Sequence, residues 1–395
     1  MKILKFTATK IFDGRRYLPD ETVVITAKDG TVLDIVAESE AGDDVQRFEG
    51  IISPGFVNCH CHLELSHMKN KMAEGGGLID FLIKVVKQRS ESVDVIQSSI
   101  ADAVAEMHST GTVAVGDISN TGDTIPVKQE QKMKYYNFLE LLGFSDNAAG
   151  EVLKRAGLLY SDFAEKLPAA QTSIVPHAPY SVSRKLFELL NETARGKTIS
   201  IHNQETPDEA ELFKKGVSGF DRLYRDLGID RSGFIPSGKN SIQTYLPYLK
   251  SAKNILLVHN TYAGEDDLRF AAALMQSGFP ALYWCICIRA NLYIENAVPP
   301  LEKIVAAQQN IVLGTDSYAS NKTMNLLDEM KVIQHSFPGL SLETILSWAT
   351  VNGAEALQMQ DEIGAIEKKK RPGLVLTNQI ENGRLTHNST SRRIV

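Results

Sequence analysis

The chain has 395 residues, 43% of them hydrophobic and 23% charged, enough to bury one large core or two smaller ones. Its formal net charge is -6 with Lys and Arg scattered, so no basic stripe follows a phosphate backbone and nucleic acid is not expected as a partner. No run approaches the ~18 apolar residues of a membrane span, and the start, Met1 to Ile11, alternates polar and apolar residues instead of resembling a signal peptide. A cytoplasmic address is expected.

Taken in chain order, residues 1 to about 50 predict short strands at Leu4–Ile11, Thr22–Thr26 and Val32–Ala37, broken by turns at Asp13-Gly14 and Asp29-Gly30. From Ile51 to about residue 359 the pattern changes to apolar strands separated by longer helical stretches, as in βα units around a parallel sheet. Eight strands are predicted there: Gly55–Cys61, Thr112–Ile118, Lys134–Leu142, Thr172–Pro176, Thr198–His202, Asn254–His259, Ala281–Cys287 and Asn310–Thr315. Eight is the number a closed (β/α)8 barrel needs. Amphipathic stretches at Ile79–Gln88, Ile96–Met107, Arg184–Leu190 and Asp266–Met275 lie between them. The polar interval 203–253 is long enough for an active-site loop. Residues 360–395 are expected to join residues 1–50 in one small β-sandwich domain, because neither end alone supplies enough strands. The charge run Lys368–Arg371 reads as a solvated turn.

His60 and His62 end the first barrel strand. Their spacing of two puts both on one face, away from Cys59 and Cys61. Two imidazoles so placed can grip one metal ion at the strand end where barrel active sites are built. Later strands end in His202, His259 and, just beyond the last, Asp316, all metal-competent or proton-transferring groups. Cys59, Cys61, Cys285 and Cys287 stand as two Cys-x-Cys pairs, which suit neither a secreted disulfide framework nor a structural zinc site, and are read as packing.

The segments Pro54-Gly-Phe-Val-Asn-Cys-His-Cys-His62, Pro176-His-Ala-Pro-Tyr180, His202-Asn-Gln-Glu205, Val258-His-Asn260, Arg289-Ala-Asn-Leu292 and Gly314-Thr-Asp-Ser317 resemble the ordered motifs of the amidohydrolase superfamily. Within it they are most similar to the chlorohydrolase, S-adenosylhomocysteine deaminase and aminodeoxyfutalosine deaminase group. The resemblance implies that His60, His62, His202 and Asp316 are metal ligands, that Glu205 carries protons, and that His259 hydrogen-bonds the attacking water or the tetrahedral centre. Two-metal relatives carry a carboxylated lysine at the end of strand four, where this chain has Val175-Pro176-His177, so one divalent ion is implied: zinc, with iron or manganese as alternatives. Such an ion can lower the pKa of a bound water from about 15.7 toward ~7. Asp316 can take the second water proton. His177, Arg289 and Asp80 are the expected substrate contacts: Arg289 for a carboxylate, Asp80 in the region where nucleoside-handling members bind ribose. Cys287-Ile288 departs from the usual Cys-Pro.

The implied activity is hydrolytic deamination of an aminated purine nucleoside or its conjugate. Another hydrolysis, at a triazine-like or cyclic amidine ring, and a catalytically silent barrel serving as an interaction module are the alternatives. A small molecule is the expected partner, and the sequence leaves the oligomeric state open, a homodimer included.

Overall fold

Both ends of the chain meet in one sheet. The computed structural model describes residues 3–395; Met1 and Lys2, which begin the alternating N-terminal stretch, lie outside the described residues. The terminal strands are β1 (Ile3–Ile11), β2 (Thr22–Ala27), β3 (Val32–Ala37) and β4 (Val45–Pro54), joined by β13 (Leu374–Glu381) and β14 (Arg384–Arg393). Their order is β14-β13-β4-β1-β2-β3, so the small β domain expected from both termini is present as a single six-stranded sheet. Strand β1 pairs antiparallel with β2 but parallel with β4, and β13 closes antiparallel on β4. Phe6, Ile11, Val24, Ile52, Leu374 and Leu376 form its core.

Strand β4 runs past residue 50 to Pro54 and passes through Gly55 directly into the barrel. A side chain at Gly55 would meet Val113 at 2.2 Å and the Pro372 carbonyl at 2.9 Å, so only glycine fits this joint.

The barrel strands are β5 (Phe56–Cys61), β6 (Thr112–Ser119), β7 (Lys134–Leu141), β8 (Thr172–Pro176), β9 (Thr198–Asn203), β10 (Asn254–His259), β11 (Ala281–Ile286) and β12 (Asn310–Leu313). Neighbours within β5-β6-β7-β8 and within β9-β10-β11-β12 all pair parallel. Two seams unite the halves. The His202 N–H donates to the His177 carbonyl at 2.9 Å, and the Thr315 and Asp316 N–H groups both donate to the His60 carbonyl, at 3.0 and 3.1 Å. Nearly every barrel-strand residue is buried, as expected of strands covered on both faces.

The interval expected to have room for an active-site loop holds three helices: Pro207–Lys215, Phe220–Leu227 and Ser241–Tyr245. Proline opens the first, and glycines in left-handed conformation, Gly216 (φ 77°) and Gly228 (φ 66°), end the first two. Leu212, Phe213, Phe220, Leu223 and Tyr224 pack with Leu78 and Ile83 of the helix Leu78–Gln88. Together these helices roof the C-terminal mouth of the barrel. No helix among the described residues is long and apolar enough to cross a membrane.

The four cysteines are free and buried, and burial pushes the thiols of Cys59, Cys61 and Cys287 up. Beneath the mouth, Lys128 Nζ lies 2.6 Å from Asp117 Oδ2 with both side chains fully enclosed. Asp117 Oδ1 also accepts the Leu63 N–H at 2.9 Å, next to His62. Removing one partner of such a pair strands the other charge in the interior. Lys128→Met should therefore cost about 3–5 kcal/mol in denaturant unfolding; a loss under ~1 kcal/mol would mean that water or another cation reaches Asp117.

Candidate active site

Side chains from the ends of β5, β9 and β10 and from the segment just after β12 converge at the mouth. His60 Nε2 lies 3.2 Å from His62 Nε2, and Asp316 Oδ1 lies 3.6 Å from the first and 3.5 Å from the second. His60, His62 and His202 form one group whose ligand atoms lie within 4.8 Å of one another, and His60, His259 and Asp316 form another. A tetrahedral ion about 2.0–2.1 Å from each nitrogen would space its ligand atoms by about 3.3–3.4 Å, so the donor set fits a single divalent ion.

The ring protons can be assigned from the partners. His202 Nδ1 faces the His177 carbonyl at 2.8 Å, which can only accept, so that nitrogen carries the proton and Nε2 is left as the donor atom for a metal. The Asn291 amide donates Nδ2–H to the His259 carbonyl at 3.2 Å, which points its Oδ1 at His259 Nδ1, 2.8 Å away. His259 thus keeps Nε2 unprotonated, 3.6 Å from Glu205 Oε1. His177 Nδ1 bonds the Ser181 hydroxyl at 2.7 Å. Glu140, His177 and His202 are a third close group, but His202 Nδ1 is already committed to the carbonyl.

Burial keeps the rings neutral, as metal ligands must be: it pushes His62 and His177 down to about 3 and lowers His60, His202 and His259. The two carboxyls diverge. Burial pushes Asp316 up, yet His60, His62 and His259 outweigh it and hold this carboxyl well below the usual range. Burial, reinforced by Asp316 and Glu295, drives Glu205 well above that range. One carboxylate suited to bind and one suited to exchange a proton are the acid–base division that hydrolytic sites need.

Backbone strain collects at the same positions. His259 (φ 74°), Asn260 (φ 57°), Gln204 (φ 49°) and Asp316 (φ 57°) adopt left-handed conformations without being glycine. Asp316 is held by the Ser320 hydroxyl on Oδ2, and Asn321 Nδ2 donates to the Thr315 carbonyl at 2.9 Å.

The mouth opens into a pocket of about 360 Å³, within the usual range for small-molecule sites. His62, His177, His202, Glu205, His259 and Asp316 line its floor; Leu78, Phe81, Leu82, Val85, Leu223 and Leu227 from the roof make its outer wall apolar. Asp80 and Arg289 are not brought there. Asp80, in the first turn of Leu78–Gln88, faces solvent and pairs with Arg222. Arg289 turns its Nε to Asn321 Oδ1 at 3.0 Å and sits beside buried Glu329. Sequence reasoning missed Arg89, Asn120 and Glu140, which do line the pocket. They share no spacing: Asn120 and Glu140 stand at the ends of β6 and β7, a placement that could have flagged them, whereas Arg89 follows the helix Leu78–Gln88 and gives no such signal.

Helicobacter pylori adenosine deaminase is 28% identical over 339 residues, covering 83% of this chain and 79% of that protein. Aminodeoxyfutalosine deaminase of Nitratiruptor is 26% identical over 322 residues, covering 78% and 74%. The crystal structure of Helicobacter pylori aminofutalosine deaminase in complex with methylthio-coformycin superposes with a TM-score of 0.81 at 22% identity, covering 99% of this chain and all of that one.

Asn58 ties the first and last barrel strands below the donors: Nδ2 donates to Thr315 Oγ1 at 2.7 Å and Oδ1 accepts the Thr315 N–H at 3.1 Å. Asn58→Ala should lose about 1–3 kcal/mol of stability for the buried groups left unpaired, and should speed metal loss to a chelator because Asp316 adjoins Thr315. Unchanged metal retention in a destabilised variant would show that the ligand loop is held without this tie. The amidohydrolase family matches residues 51–391, and the chain belongs to that family of metal-dependent hydrolases.

Proposed function

We propose that this chain is a metal-dependent hydrolytic deaminase of an aminated purine nucleoside or a conjugate of one. The observation that carries this reading is the placement of Glu205 Oε1 3.6 Å from His259 Nε2, beside His60, His62, His202 and Asp316, on the floor of one small-molecule pocket. The names of the relatives, adenosine deaminase and aminodeoxyfutalosine deaminase, support the substrate class.

In this reading His60, His62, His202 and Asp316 hold one divalent ion, zinc foremost, with iron or manganese as the other candidates. When bound, the ion supplies Lewis-acid polarisation and makes a nearby water more acidic. Glu205 takes a proton from the attacking water and passes it to the departing amine. Asp316 accepts the second proton, and His259, with Nε2 unprotonated, accepts a hydrogen bond from the adding oxygen. His177 contacts the substrate on the neighbouring wall. Water adds at the amino-bearing ring carbon, the carbon–nitrogen bond breaks, and the proton taken up by Asp316 ends on the adjacent ring nitrogen, so that the products are the oxo-purine and ammonia and both acids return to their starting state.

Purified protein is expected to release ammonia from adenine nucleosides with the adenine-to-hypoxanthine absorbance change. Hydrolysis of a triazine-like ring with no purine turned over would replace this reading. Elemental analysis should find about one transition metal per chain, retained in Glu205→Gln and lost in His202→Ala. Glu205→Gln keeps the shape but removes the base, so turnover should fall about 10²- to 10⁴-fold. Near-normal turnover in that variant, or metal loss as complete as in His202→Ala, would take Glu205 out of the proton-carrying role.

A further inference from the structure

The pocket carries a buried polar group that neither the metal-donor set nor Glu205 uses. Glu64, in the short 3₁₀ segment Leu63–Met68 after β5, is saturated: Oε1 accepts from Arg89 Nη2 at 2.6 Å. Its Oε2 accepts the Asn120 and Thr121 N–H groups at 2.9 and 3.1 Å and the Thr121 hydroxyl at 3.1 Å. Asn120 continues the chain, accepting from Arg89 Nη1 at 3.4 Å and donating Nδ2–H to Glu140 Oε2 at 3.1 Å. The chain stops at Glu140. No donor among the described residues bonds its Oε1, and the side chain is only 4% exposed. His202 Nδ1, 3.6 Å from Oε1, is committed to the His177 carbonyl.

A buried acceptor that the protein leaves open in a pocket wall favours a ligand that brings a donor. We propose that Glu140 reads the sugar of the bound nucleoside, its Oε1 hydrogen-bonding the ribose hydroxyls while Asn120 and the Arg89–Glu64 pair position it. The assignment rests on the deaminase reading above and follows from the order of groups along the pocket. A purine whose amino carbon faces Glu205 and His259 carries its sugar across the bicycle, away from them, and Glu140 stands at the Nδ1 edge of His202, opposite that ring's metal-donor nitrogen. The apolar roof residues offer a diol nothing, and the polar side chains of Arg89, Asn120, Ser181 and Tyr224 in the same lining already hold partners within the protein. Arg89, across Asn120, disfavours a cationic ligand group here, and Glu140 itself disfavours an anionic one, which leaves a neutral donor. Burial pushes Glu140 up to about 8, and a carboxyl bonds a vicinal diol in either protonation state, accepting when ionised and also donating when protonated. Asp80, the acid that the resemblance offered for this task, lies outside the pocket.

The test is calorimetric binding of inosine and 2′,3′-dideoxyinosine to the metal-loaded protein, which needs no turnover, alongside ammonia release from adenosine and 2′,3′-dideoxyadenosine. Wild type should favour the hydroxylated ligand by about 10- to 100-fold. Glu140→Ala should erase that preference while changing the affinity for the dideoxy ligand less than about threefold. Glu140→Gln, isosteric and able to fold where the alanine variant does not, should shrink it to a few-fold. A preference that survives both variants, a wild type that does not discriminate, or a wild type that binds neither ligand overturns the assignment. Glu140-dependent binding without ammonia release would support it and fail the deaminase reading alone. Ammonia release with a preference indifferent to Glu140 would do the reverse.

Discussion

The seam between β5 and β12 is the contact on which everything else in the site depends. One carbonyl, that of His60, accepts both the Thr315 and Asp316 N–H groups, so the first and last barrel strands are joined where the two potential metal donors His60 and Asp316 stand. The approach is close. A side chain on Gly314 would meet His60 Cβ at 2.8 Å, Cys287 Sγ at 2.9 Å and the His60 carbonyl at 3.0 Å. Closing the barrel and assembling the donor set are therefore one event, and neither half-barrel alone holds His60, His202 and Asp316 together.

Closure also produces the electrostatics. Imidazoles packed with ring centroids 4.9 to 5.8 Å from that of His60 cannot share several charges in a dry mouth, so burial keeps them neutral with lone pairs free. The same dryness acts oppositely on the two carboxyls because their neighbours differ. Asp316 stands among rings whose combined influence exceeds its own cost of burial, whereas Glu205 faces one unprotonated nitrogen and feels Asp316 as a second negative charge. The division of labour is thus set by which strand end each acid occupies.

Much of this was legible in the sequence, and the reason is periodicity. Strands buried on both faces read as apolar runs, so the eight barrel strands appear within a few residues of their observed ends, and groups at strand ends inherit a common rim from the topology. Side chains outside that pattern were not legible. Asp80 shares its helix with pocket-lining Leu78, Phe81 and Leu82, yet its own position on the turn faces Arg222 and solvent. Arg289 begins a helix whose buried neighbours hand its guanidinium to Asn321 and Glu329. Glu140 hides in an apolar strand where a single acid carries no spacing signal. The roof helices were signalled by Gly216, Gly228 and Pro207, but polar composition over the whole interval masked them.

The roof is more than a cover, because it is wired to the backbone beside Glu205. Glu209, in the first roof helix, accepts the Gln204 N–H at 3.1 Å and a hydrogen bond from the Ser241 hydroxyl. Gln204 Nε2 donates to Asp267 Oδ2 at 2.7 Å, and Asn240 Nδ2 reaches both oxygens of the same acid at 2.8 and 2.9 Å. The left-handed turn at Gln204 is thus clamped from the roof on one side and from the helix Glu265–Gln276 on the other. A residue held this way cannot relax without moving either the roof or that helix, and Glu205 is the next residue in the chain. The segment that shapes the apolar outer wall of the pocket therefore also sets where the Glu205 carboxyl stands, so enclosure of the pocket and placement of that acid are mechanically one arrangement.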